Sequence, residues 1–295
     1  MKTKFIFLVL SCLALESFTE MFPAHHAKWS LKGISSRKFA GSAIPYHYDS
    51  VRLSSPYQFD HPARASTQGY VVIKYPIFQN NDLNEIIKKA VLSPLKVNYQ
   101  FKNAVAAEHP ALSNLDAINN PAADYKALAG AFLKQFEAQA PQEDLQAYWY
   151  ADIEVKAISD QTDYIALLCK KDYFTGGSHD LYDHIYLNYD VRNHRLVTLT
   201  SVLQPGKLNQ LKVIAERIFR KNEGLTPTQE LDGYFFQNGK FDLPDNFTIT
   251  SKGLMFLYDY YELKPFAAGT TALIIPFADL KHLVLPNSIW ARRIQ

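Results

Sequence analysis

Apolar and polar residues change period along this chain, and the changes mark out its elements. From Tyr164 to Ser201 the pattern is that of strands. Ile165–Cys169 is an almost unbroken apolar run of strand length, bounded by polar turn signals. Gly176 and Gly177 follow where the chain has to bend, since glycine enters positive φ without a steric cost. Tyr182–Val191 alternates, with Tyr182, His184, Tyr186 and Asn188 on one side and Asp183, Ile185, Leu187 and Tyr189 on the other. A polar turn, Arg192–Arg195, then leads into a third strand through Leu196, Val197 and Leu199.

The flanking stretches mix both periods. Tyr70–Tyr75 reads as a strand, preceded by another near Tyr48–Leu53. Asn80, Asn81 and Asp82 supply a helix cap, and Leu83, Ile86, Ile87, Ala90 and Val91 form one apolar helical face that Pro94 stops. Val97–Phe101 has strand character and 110–121 reads as loop. A second helix spans Ala122–Gln139, with Tyr125, Leu128, Ala129, Phe132 and Phe136 inward. In 149–157, Trp149, Ala151, Ile153, Val155 and Ala157 alternate with Tyr150, Asp152, Glu154 and Lys156, a half-buried strand. A helix over Lys207–Glu223 turns Leu208, Leu211, Ile214, Ala215, Ile218 and Phe219 to one face, with Gly224 at its C-terminal cap. Strands are expected at Phe247–Thr250, Leu254–Glu262 and Thr271–Ile275, and a short helix at Ala278–Leu285. Strands and helices without regular βαβ alternation define an α+β class with antiparallel sheets and packed helices.

Composition narrows the function. The 295 residues carry a formal charge of only +2, from 31 basic and 29 acidic side chains, and no basic cluster of the kind a nucleic-acid backbone requires. The 18 Tyr and 19 Phe suit strands and also flat binding surfaces.

The N-terminus speaks to location. Lys2 and Lys4 precede an apolar run, Phe5–Leu15, too short for the roughly 20 residues of a spanning helix. A basic start with a short apolar core predicts an export signal over 1–15 and no transmembrane span. Leu8-Val9-Leu10-Ser11-Cys12 also resembles a bacterial lipobox, in which Cys12 would become the acylated N-terminus; the other possibility is cleavage nearby, after Ala14, with Cys12 lost. Residues 16–44 read as a tether and 287–295 as a tail. Cys169, in its apolar strand, is expected to be a buried, inert thiol.

Candidate chemistry is sparse. Ser178, His179 and Asp180 are sequence neighbours, and neighbouring side chains diverge, so they do not predict a triad. His179, Asp183 and His184 fail as a metal set because Asp183 points away from His184. Asp152 and Glu154 share a strand face about 7 Å apart, a spacing open to acid–base chemistry on glycosides; opposite an apolar face they are expected to meet water. Tyr258–Glu262 is an acidic-aromatic run that either presents rings to a sugar or peptide or packs across a sheet. No Walker loop, dinucleotide fingerprint, zincin motif or paired CxxC is present, so neither cofactor nor metal is expected.

Three segments, YFTGGSHD (173–180), YLNYDVRNHRLVTLTSVL (186–203) and FTITSKGLMFLYDYYELKPFAAGTTALIIPFADLKHLV (247–284), resemble the extracytoplasmic domain of RsiV-type anti-sigma factors. VVIKYPIFQNNDLNEIIKKAV (71–91) resembles the small domain that precedes it, also found at the front of PdaC-type peptidoglycan deacetylases. The resemblance covers about 45–285, and Ser178 stands where the family has alanine. It implies a two-part ectodomain, 45–160 and 161–286, that binds a lysozyme-like protein or peptidoglycan in the periplasm or at the cell surface. The cytoplasmic sigma-binding segment of RsiV-type regulators and the catalytic domain of PdaC-type enzymes are not matched, so a bare, non-catalytic ectodomain is expected. A hydrolase acting on cell-wall polysaccharide is the alternative. The resemblance singles out the turn Tyr173, Gly176, Gly177 and His179 and the associated segment Tyr261, Glu262, Pro265 and Gly269. His179 is expected to turn toward that segment as a joint rather than a catalyst.

Overall fold

The computed structural model describes residues 44–55, 69–95, 123–139, 148–176 and 179–293. The leader with Cys12, the tether, the strand expected at 97–101, the loop at 110–121, Gly177 and Ser178 fall outside them. The fold is α+β, as the sequence pattern indicates. A six-stranded sheet runs in chain order through β1 (Tyr46–Ser54), β2 (Gly69–Phe78), β3 (Trp149–Gln161), β4 (Tyr164–Phe174), β5 (Leu181–Asp190) and β6 (Arg195–Leu196). One pairing departs from the antiparallel expectation: β2 and β3 run parallel, with Ile73 opposite Ile153. Parallel neighbours need a long crossover, and here it carries α1 (Asn81–Leu92) and α2 (Tyr125–Gln139).

Both helices cover one face of the sheet. The Asn80 side chain caps α1 by accepting from the Leu83 N–H at 2.8 Å. Leu83, Ile87 and Val91 of α1 join Leu128, Phe132 and Phe136 of α2 over Ile73, Ile153, Val155, Leu167 and Cys169, all buried. Within this core lies Lys171, fully buried, its ammonium donating to the Ser93 carbonyl at 2.5 Å and hydroxyl at 2.9 Å, with the Asp183 carboxylate 3.8 Å away. Ser93 caps the C-terminus of α1, so the cation sits where helix carbonyls want a donor.

A second core occupies part of the other face. After the short helix α3 (Leu199–Val202), α4 (Leu208–Asn222) packs Leu211, Ala215 and Phe219 on a three-stranded antiparallel sheet, β7 (Phe247–Ile249), β8 (Gly253–Tyr258) and β9 (Thr271–Pro276), followed by α5 (Phe277–Leu280). This core takes in Tyr164 and Ala166, which alternate with the first-core residues Ile165 and Leu167. β4 is therefore buried on both faces at its start, which is why its sequence is apolar without alternation. The expected boundary near 160 falls at the β3–β4 hairpin, inside a continuous sheet.

Side chains join the two sheets. β6 pairs with only the end of β5, leaving the backbone of 184–186 at an edge. The Asp259 carboxylate accepts from the His184 N–H at 2.6 Å, Asn246 accepts from the Tyr186 N–H at 2.9 Å, and the Asn246 amide donates to the His184 carbonyl at 2.7 Å. Buried Asn188 accepts from the Tyr164 hydroxyl at 2.5 Å and donates to the Phe247 carbonyl at 2.7 Å. An edge that would otherwise invite another strand is thus closed from within.

Four expected elements change at their ends. The strand through Leu199 stops at Leu196, because Thr198 and Ser201 form a reciprocal capping box that starts α3. Leu208, placed inward by periodicity, is exposed at the first turn of α4. The strand expected to reach Glu262 ends at Tyr258; Asp259 accepts from the Glu262 N–H at 3.1 Å through its carbonyl, and Tyr261 takes φ 58°. The helix expected over Ala278–Leu285 ends at Leu280, since Leu283 and Leu285 bond instead to Gln204 and Val202.

Gly253 sits at φ 154°, where a Cβ would lie within van der Waals radius of the Ile275 carbonyl. Asn188→Ala removes the acceptor of the Tyr164 hydroxyl and the side-chain donor to the Phe247 carbonyl, at about 1–3 kcal/mol for a buried group that loses its partner. We expect urea unfolding to record a loss of about 2–4 kcal/mol for this variant. A loss below about 0.5 kcal/mol, the usual range of surface changes, would contradict the coupling of the two sheets through Asn188.

Candidate functional site

Registers across β2–β5 order the side chains on the sheet face opposite α1 and α2. One row runs Tyr70, Tyr150, Phe174; the next Val72, Asp152, Asp172, Tyr182; the third Lys74, Glu154, Lys170, His184. The second core covers only the far end of this face, around Tyr164 and Ala166. Among the described residues, the segment between β8 and β9 reaches these first two rows at Tyr182, through Tyr260 and Phe266.

The first row is a stack of rings. Tyr70 and Tyr150 lie 5.6 Å apart at 13°, Tyr148 and Tyr150 6.0 Å apart at 10°, and Phe174 closes on Tyr148 at 5.4 Å. Tyr148 is 50% exposed and Tyr70 38%, so the outer rings of the stack face solvent. Large apolar groups clustered at the surface mark interaction sites far more often than scattered ones do.

The second row sets two carboxylates directly opposite each other, Asp152 and Asp172. Like charges in that position destabilise a sheet. The Tyr150 hydroxyl donates to Asp172 at 3.2 Å, and the Tyr182 hydroxyl donates to Asp180 at 3.1 Å. Burial, reinforced by the charge of Asp180 and opposed by Lys170, pushes Asp172 up from 3.8 to about 6. Burial also raises Asp152, against the pull of Lys74. Asp152 does not simply meet water, as the strand pattern had implied for it and Glu154. Glu154, on the same face, is bridged to Lys156 at 2.7 Å, so the carboxylate that faces Asp152 comes from β4 and not from its own strand.

The turn selected from the sequence forms the margin of this face. His179 Nδ1 lies 2.8 Å from the Asp180 carbonyl, which only accepts, so Nδ1 carries the proton. Nε2, 3.0 Å from the Tyr261 hydroxyl, then accepts from it in the neutral ring. The imidazole stacks on Phe266 with centroids 3.6 Å apart at 10°. Pro265 opens the single turn that carries Phe266, and Gly269 ends it at φ 69°. Tyr260 bridges Phe266 at 4.8 Å and Tyr182 at 4.9 Å, and His184 Nδ1 donates to Asp259 at 3.0 Å. Gly176 takes φ 90°. Two selected residues go elsewhere: Tyr173 is buried in the first core, near Phe132, and Glu262 folds back to accept from the Asp259 N–H at 2.8 Å.

Cys169 is buried, its thiol pushed up to about 12 by desolvation. Asp183 lies on the first-core side with Lys171, away from His184. Among the described residues no three His, Cys, Asp or Glu side chains are placed to hold a metal ion. A separate cleft of about 620 Å³ lies between the β3–β4 and β7–β8 hairpins, lined by Gln161, Tyr186, Thr248, Met255 and Arg292. Its carboxylate, Asp163, is bridged to Arg292 at 3.0 Å.

Comparison with known proteins agrees with this α+β class and goes no further on function. Residues 200–278, from α3 to the start of α5, match the family described as protein of unknown function (DUF3298). No curated protein matches the chain. A crystal structure of a DUF3298 family member from Bacteroides fragilis aligns at TM-score 0.60 with 18% identity, covering 86% of this chain and 99% of that one. A DUF3298 family protein from Pseudomonas aeruginosa aligns at TM-score 0.57 with 18% identity, covering 83% and 95%. Among the described residues no helix is long and apolar enough to cross a membrane.

The raised Asp172 has a thermodynamic consequence. A carboxyl that holds its proton more tightly when folded favours the folded state at low pH, and that contribution is lost as pH rises from 3.8 through about 6. The melting temperature of the wild type is therefore expected to rise relative to Asp172→Asn as pH falls from about 7.5 to about 4.5. A difference between the two that stays constant with pH would show Asp172 to be solvated.

Proposed function

We propose that this chain is a non-catalytic binding protein of the bacterial cell envelope, and that the open face of its six-stranded sheet takes a cell-wall glycan. The observation that carries this reading is the ring stack of Tyr70, Tyr150, Tyr148 and Phe174, with Tyr70 and Tyr148 exposed and a polar row beside it. Pyranose rings offer apolar C–H faces that lie on aromatic rings and hydroxyls that need polar partners beside them. A stack followed by acids and tyrosine hydroxyls meets both needs. The export-type start at Lys2 and Lys4, with its short apolar run, supports a place outside the cytoplasm, and Cys12 is the proposed lipid anchor.

The test is binding to soluble peptidoglycan fragments, with lysozyme as a protein competitor. Tyr148→Ala and Tyr70→Ala are each expected to weaken glycan binding about tenfold, which corresponds to about 1.4 kcal/mol per ring, without lowering the melting temperature. Binding to lysozyme alone would overturn the glycan reading. Anchoring is tested separately: labelled fatty acid is expected to enter the wild type and not Cys12→Ala. No incorporation in the wild type leaves plain secretion.

One observation favours a hydrolase. Asp152 and Asp172 face each other across β3 and β4, and Asp172 keeps its proton to about pH 6. Retaining glycosidases place two carboxyl groups about 5–5.5 Å apart, one protonated as the acid. Release of new reducing ends from the same fragments, abolished by Asp172→Asn, would establish that reading in place of simple binding.

A further inference from the structure

The acids beside the ring stack narrow the ligand, on the condition that the glycan reading holds. Several part-buried carboxylates have a cationic or imidazole partner: Glu223 with Lys264 at 2.8 Å, Asp163 with Arg292, Asp259 with His184 and, on the open face itself, Glu154 with Lys156. On the open face, Asp152, Asp172 and Asp180 form no ion pair with a described lysine or arginine. Each of Asp172 and Asp180 instead receives a phenol proton, from Tyr150 and Tyr182. A phenol has one proton to give, whereas a carboxylate accepts at about four sites. Acceptor capacity and negative charge are therefore left over. Among the described residues, Lys74 and Arg52 act on Asp152, whereas Asp172 has only Lys170 as a cationic influence, and that ammonium stands over the Tyr182 ring at 5.6 Å.

We propose that this sheet face, where no described element lies over the ring stack, docks glycan chains carrying free amino groups, de-N-acetylated hexosamines, with the sugar ring on Tyr148 or Tyr70 and its ammonium held between Asp172 and Asp180 beside Tyr150. An ammonium brings three N–H donors to surplus acceptors and a positive charge to two acids that form no ion pair with a described lysine or arginine. The same ammonium gains from the negative faces of the adjoining rings. An N-acetylated sugar brings neither the charge nor the donors. Cationic peptides share the charge but lack the flat C–H face that the exposed rings accept. They also bind sheets most readily through main-chain hydrogen bonds at an edge, whereas the ring stack and its acids lie on the face.

The experiment is calorimetric titration of the exported domain, residues 16–295, with three probes: a β-1,4-linked glucosamine tetramer, its N-acetylated counterpart and tetralysine. The fold of each protein sample is checked by circular dichroism. The expected result is binding of the glucosamine tetramer roughly tenfold or more tighter than the N-acetylated one. That preference disappears in Asp172→Asn/Asp180→Asn, while Tyr148→Ala weakens both glycans. Equal binding of the two tetramers by the wild type overturns the amine inference and leaves the glycan reading standing. Binding of tetralysine as tight as the glucosamine tetramer overturns it in favour of a basic peptide. Binding of none of the three overturns both.

Discussion

Burial of one strand on both faces is the constraint from which the rest of the architecture follows. Ile165, Leu167 and Cys169 of β4 point into the core under α1 and α2, and Tyr164 and Ala166 into the core built by α4 and the three-stranded sheet. An apolar strand of this kind has no stable solvated face, so both layers have to be present for either to be satisfied. The buried polar groups reinforce this arrangement. Lys171, fully enclosed, ties β4 to the end of α1 through the Ser93 carbonyl and hydroxyl, and replacing it by an apolar residue would take the cation away from the buried Asp183 carboxylate.

Two-sided burial applies to only half of the sheet, and the proposed site occupies the other half. Near Tyr164 the second core presses on the sheet; beyond Lys170 it has turned away, and the chain between β8 and β9 reaches only the margin, through Phe266 and Tyr260 against His179 and Tyr182. The same segment supplies Asp259 to the β5 edge and Tyr261 to His179. It therefore acts as a wall: it closes an edge that would otherwise aggregate and leaves the rings and acids of β2–β4 facing outward. The opposed Asp152 and Asp172 violate the pairing rule that a stable sheet obeys. Local conflict of that sort concentrates where a surface serves function rather than stability.

His179, the residue in the turn that tempts a catalytic reading, is held by its described surroundings. Its two nitrogens are both engaged, one donating to a carbonyl and the other accepting from a phenol, and its ring is covered by Phe266. The acids that carry unusual proton affinity, Asp172 above all, lie on the strand and not in the turn.

Periodicity and turn chemistry were sufficient for much of this protein. The α+β class, the strand at Ile165–Cys169 with its buried thiol, the alternation of β3 and β5, and the capped helices α1 and α4 are all local consequences of residue spacing, because a side chain's face is set by the backbone period alone. Local signals also hid some endings: the capping box at Thr198 and Ser201 and the reversal after Tyr258 were written in residues that read equally well as strand. The candidate site was legible only at its margin, in the turn around His179 and the Pro265–Gly269 segment. Tyr70, Tyr150 and Phe174 are far apart in the chain, as are Asp152, Asp172 and Asp180 taken with their tyrosines, and nothing in their spacing says that they meet. Cross-strand register brought them together, and register depends on how whole strands bury their apolar faces, including the parallel pairing of β2 with β3. Which face stayed open was likewise decided by where the second core stopped, a matter of packing between distant segments that no single stretch encodes.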